Sequence, residues 1–61
     1  SMNLFQVVHK EINEKQDLLL DKLSSGTIKD HAEYSYVCGN ISALRGITAY
    51  ITELESRIED D

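Results

Sequence analysis

The chain has 61 residues, with six lysines and arginines against eleven aspartates and glutamates, a net charge of −5. That balance repels phosphate backbones, so a polynucleotide reader is not expected, whereas a small anion held at a helix N-terminus stays open. Cys38 is the only cysteine, which excludes an intrachain disulfide, and His9 and His31 lack the paired spacing of a metal cluster.

A chain this short buries only about 60% of its unfolded surface. With no disulfide, metal or cofactor expected, partner subunits are the remaining staple. The longest apolar run, Leu18-Leu19-Leu20, is far below the roughly 20 residues that span a bilayer. No export signal is visible and Ser1-Met2 reads as a protease scar before an initiator methionine, so the expected setting is cytoplasmic.

The first predicted element is a helix over about residues 3–24, capped by Asn3. Phe5, Val8, Ile12, Leu19 and Leu23 form its stripe, with Leu4 and Leu20 beside it. Val7 and Leu18 lie off the stripe and point to a second contact surface. Lys15 and Gln16 fall within the stripe, where a polar layer can set register or touch a ligand. Glu11, Glu14 and Asp17 read as a solvated face, and His9 as a rim residue.

A loop over residues 25–29 follows, with Gly26 suited to the left-handed position after a helix. Thr27 or Asp30 caps the second helix, Thr27 with Asp30 as the weaker capping box and Asp30 with Glu33 as the better, and the helix is predicted over about residues 30–59. The acidic end Glu59-Asp60-Asp61 opposes the helix dipole and is expected to fray. At about 43 Å against about 30 Å, the second helix outruns the first. A hairpin of these arms is expected to leave about two turns uncovered, containing Ile51, Leu54 and Ile58.

Two surfaces run along the second helix. Val37, Ile41, Leu44, Ile51, Leu54 and Ile58 make one stripe; Gly39, Ala43, Gly46 and Tyr50 lie on another side. Each glycine costs a helix interior about 1 kcal/mol relative to alanine, and close approach by another helix is the usual compensation. The fold expected is an all-α two-helix hairpin, one domain over residues 1–61, assembling into a homodimer or tetramer. Tyr36, Gly39, Ala43, Gly46, Tyr50 and Leu54 are its candidate subunit contacts, and Cys38 is a small packing residue.

Arg45 is the one cation between Lys29 and Arg57 and stands near Ser42, Thr48 and Ala49, with no carboxylate three or four residues away. It is either an anion receptor or one half of an intersubunit salt bridge. Tyr34 lies near its side of the helix, three turns earlier. Lys29 and His31 flank the helix start, where free N–H groups favour an anion. No phosphate-binding loop, zinc cluster or catalytic triad is present, so no enzyme activity is expected.

The stretch Gly26-Thr27-Ile28-Lys29-Asp30-His31-Ala32-Glu33-Tyr34, continued by Cys38-Gly39-Asn40-Ile41-Ser42-Ala43-Leu44, resembles small phage-encoded helical proteins over the middle third of the chain. That resemblance implies a viral origin and an infected bacterial cell as the setting. Some such proteins are oligomeric sponges for cyclic dinucleotide or ADP-ribose-type immune signals, of anti-CBASS or anti-Thoeris type. Others are virion components or inhibitors of host enzymes.

On the sponge reading, Arg45 binds phosphate, Tyr34 stacks on a base, and Lys29, His31 and Thr48 complete the ligand site between subunits. The alternative is a protein-binding helical module, a structural or host-regulatory phage component.

Overall fold

The computed structural model describes residues 1–60. Two helices are present, α1 from Leu4 to Ser24 and α2 from His31 to Asp60. Among the described residues there is no strand.

Local chemistry explains both helix starts. Asn3 caps α1: its Oδ1 accepts the Gln6 N–H at 2.9 Å, and the Gln6 Oε1 accepts the Asn3 N–H at 2.9 Å. This reciprocal box satisfies two donors that a bare helix end leaves orphaned. At the other end the Ser25 N–H donates to the Asp21 carbonyl at 2.9 Å, and Gly26 takes φ 77°, a left-handed backbone favourable to glycine.

Asp30 caps α2, its Oδ1 accepting the Glu33 N–H at 2.8 Å. The expected box is only half formed. The Glu33 carboxylate accepts instead from the Lys29 N–H at 3.3 Å, one residue before the cap. α2 continues through Glu59 to Asp60, so those residues are helical; Asp61, on which the frayed acidic end also rests, lies outside the described residues.

The helices lie antiparallel, and the molecule measures 48 × 22 × 11 Å. A thickness of 11 Å is that of a single helix with its side chains. The hairpin is therefore one layer, open on both faces. Among the described residues only Ile12, Val37 and Ile41 are buried.

With half-buried neighbours they make a series in steps of four and three, Phe5, His9, Ile12, Gln16, Leu19, Leu23 on α1 and Val37, Ile41, Leu44, Thr48, Ile51, Glu55 on α2, flanked by the half-buried Val8, Cys38, Asn40 and Leu54. This is the 3.5-residue period of helices wound about each other. Gln16 belongs to the seam and Lys15 does not: Lys15 is exposed and pairs with Glu11 at 3.3 Å. The expectation that both residues interrupt the stripe is corrected to Gln16 alone.

Two ion pairs cross between the helices, one near each end of α1. His9 Nε2 lies 3.9 Å from Glu55 Oε1, and Lys22 Nζ lies 3.1 Å from Glu33 Oε1. The beginning of α1 thus lies beside the last turns of α2. The expected pair of uncovered turns is not there: Ile51 and Leu54 are half-buried, and only Ile58 stays largely exposed.

The extra length of α2 sits at its start. There the connection from Ser25 to Asp30 runs back alongside it, Ile28 is half-buried, and Val37 is 2% exposed. The connection, not a second chain, covers the surplus.

Candidate functional site

Each open face of the layer carries a shallow groove along the seam. Residues two apart on a helix point about 200° from each other. Leu18 and Leu20 therefore diverge to opposite faces, as do Tyr36 and Cys38.

On the first face Leu20, Leu23, Cys38, Ile41, Ser42 and Arg45 line a groove of about 240 Å³. Leucines and Ile41 make its floor, while Ser42 and the Arg45 guanidinium supply the polar lip. Among the described residues no carboxylate lies within ion-pair distance of Arg45. The absence of a partner on its own helix, read from spacing, holds in three dimensions.

The other residues expected at a ligand site are not gathered around Arg45. Tyr34 is near its azimuth but eleven residues earlier, about 16 Å along the axis. The Tyr34 ring stacks on His31 at a centroid distance of 6.2 Å. The Cys38 thiol one turn on holds the Tyr34 phenol above its ordinary pKa of 10.

Two carboxylates already occupy N–H groups at the start of α2: Asp30 accepts from the Glu33 N–H, and Glu33 from the Lys29 N–H just before the helix. Lys22 draws Glu33 further into the charged state; that hydrogen bond, with the Lys29 N–H, lowers the Glu33 pKa below 4.5. An anion arriving beside Lys29 and His31 meets those charges.

Thr48 is placed differently again. Its Oγ1 is enclosed without a hydrogen-bond partner, while its carbonyl accepts from Thr52 Oγ1 at 2.9 Å. The hydroxyl belongs to the seam rather than to the surface. Its polar side chain sets it apart from the apolar stripe of the sequence, yet the four–three alternation continued through polar residues contains Thr48 and Glu55 on α2 and His9 and Gln16 on α1.

On the second face Lys15, Leu18, Leu19, Tyr36, Asn40 and Leu44 line a groove of about 390 Å³. Its flanks are apolar and open. Leu18 is 71% exposed and Tyr36 72%, and Ile47 and Tyr50 continue the exposed row along α2. Ala43 and Leu54 belong to the same row at helical spacing, Leu54 half-buried toward the seam.

Gly39 and Gly46 lie one step further round, exposed, and a methyl group on either would meet no atom within 4 Å. Close approach to them by α1 is absent. The structure thus brings Tyr36, Ala43, Tyr50 and Leu54 onto one face with Leu18 and Ile47, two residues that spacing along the second helix did not supply.

From Tyr34 to Thr52 the only charged side chain is Arg45, on the opposite face. Among the described residues no group of three or more His, Cys, Asp or Glu could hold a metal, and no helix is long and apolar enough to cross a membrane. No protein-family model, curated protein or solved structure matches the chain.

Proposed function

We propose that the chain is a non-catalytic helical module that works by self-association through its Tyr36–Tyr50 face. The observation that carries this reading is the exposed apolar row spanning both helices: Leu18 on α1 with Tyr36, Ile47 and Tyr50 on α2. Soluble monomers seldom leave such a contiguous patch open. Among the described residues three buried side chains make a thin core, and covering this face supplies the missing apolar burial.

Sedimentation equilibrium over a concentration range tests it. The expected result is a mass at least twice that of the chain, falling to the chain mass in Ile47→Glu. A monomer at every concentration refutes the proposal.

A second reading rests on Arg45, whose unpaired guanidinium borders the first groove with Ser42. In the phage setting implied by the resemblance, the assembled module would sequester a cyclic dinucleotide or ADP-ribose-type signal. Arg45 would take phosphate, with Tyr34, Lys29 and His31 contributing across the subunits of a dimer or tetramer. Calorimetry against a panel of those nucleotides should give heat that Arg45→Ala abolishes. Silence across the panel removes this reading and leaves self-association standing.

A further inference from the structure

Resting on the self-association reading, we infer that the second groove is filled by a second copy of the chain in one orientation: α2 antiparallel to α2 of the other copy, with the two-fold axis beside Ile47. The layer becomes half of a four-helix bundle.

Area is the first argument. The chain exposes 4696 Å², whereas a compact monomer of 6.9 kDa exposes about 4,000 Å². The excess of about 700 Å² is close to the roughly 800 Å² that each partner contributes to a standard stable interface. A face of 48 × 22 Å is large enough to supply it.

Charge is the second. Outside Arg45, which lies on the other face, α2 has no charged side chain from Tyr34 to Thr52. Its partner helix α1 carries charge along its outer edge at Lys10, Glu14, Asp17 and Asp21, and on the groove side Lys15 is neutralised by Glu11 at 3.3 Å. α2 is composed for the middle of an assembly and α1 for its margin. Of the polar groups on the face, the Asn40 amide already donates to the Tyr36 carbonyl at 3.0 Å and Lys15 already pairs with Glu11.

Complementarity of size and charge then selects the orientation. Counted eight residues along each helix from the His9–Glu55 contact, Ile47 falls near the level of Gln16 and Asp17, close to the middle of the paired helices, and the two-fold axis is placed there. An antiparallel neighbour sets Ile47 against its own copy and the small Ala43 opposite the bulky Tyr50 of the second copy. It sets Tyr36 over Arg57 of the second copy, a cation above an aromatic face. A parallel neighbour would instead stack Tyr36 on Tyr36, Tyr50 on Tyr50 and Arg57 on Arg57, bulk on bulk and charge on like charge.

Cross-linking and a label distance test the orientation. In a Cys38→Ser background, Ile47→Cys should oxidise to a covalent dimer, Tyr36→Cys alone should not, and Tyr36→Cys mixed with Arg57→Cys should link. A nitroxide on Ser35→Cys leaves the face intact, and antiparallel copies hold the two labels more than about 30 Å apart. Self-linking of Tyr36→Cys, or labels within about 20 Å, overturns the orientation while the association stands. A chain that sediments only as a monomer overturns both.

Discussion

His9 and Glu55 meet across the hairpin at 3.9 Å, each side chain a quarter exposed, at the level where α1 begins and α2 ends. One heptad further in from both, Gln16 and Thr48 share a level. The seam therefore contains two polar layers in addition to its aliphatic ones. Such layers tie a hairpin to one register, because a slipped helix would bury them against aliphatic side chains.

The inner polar layer has a defect that mutation can repair. Thr48 Oγ1 is enclosed without a partner, and an orphaned buried hydroxyl costs about 1–3 kcal/mol. Thr48→Val keeps the shape and removes the hydroxyl. Urea denaturation at fixed protein concentration should show a gain of about 1 kcal/mol. Anion binding through Arg45, if calorimetry detects it, should be unchanged in the same variant.

The connection carries a pH dependence centred on Glu33. Its pKa lies below 4.5 because the Lys22 ammonium and the Lys29 N–H favour the carboxylate. A depressed carboxylate stabilises the fold above its unfolded pKa, and that contribution disappears as pH falls through the lower folded value. Melting temperature should drop between about pH 5 and pH 3. Glu33→Gln should start lower at neutral pH and show a shallower decline. An unaltered slope in that variant would contradict the assignment.

Gly39 and Gly46 are open on the outer side of α2, with room for a methyl group on each. Gly39→Ala and Gly46→Ala should each add about 1 kcal/mol by improving helix propensity. Association should persist in both, since the two positions flank the apolar row. Loss of the higher-mass species in sedimentation would instead make the glycines a close helix contact.

Ile41 is one of three buried side chains. Ile41→Ala should cost about 2–4 kcal/mol, a large share of the stability available to so small a domain. Circular dichroism at 37 °C should report much of the helicity lost. Ile58→Ala, at an exposed position, should change it little.

Both helices and their caps were legible in the sequence because they depend on neighbours within a few residues. Asn3, Gly26 and Asp30 act on the adjacent backbone, so residue type and spacing carry the information. The row of Tyr36, Ala43, Tyr50 and Leu54 was legible for the same reason, helical periodicity alone. Its continuation onto Leu18 was not, since that juxtaposition joins residues far apart in the chain.

Length arithmetic failed at Ile51 and Leu54 because it assumed that pairing begins at the first turn of α2. The register is decided by how side chains fit across the seam and by where the connection lies. Only the packed pair of helices could place His9 beside Glu55, turn Thr48 inward, and leave Arg45 on one face and Tyr36 on the other. Sequence determined the elements through short-range hydrogen bonding and periodicity; tertiary structure decided their offset, because that depends on contacts no local spacing encodes.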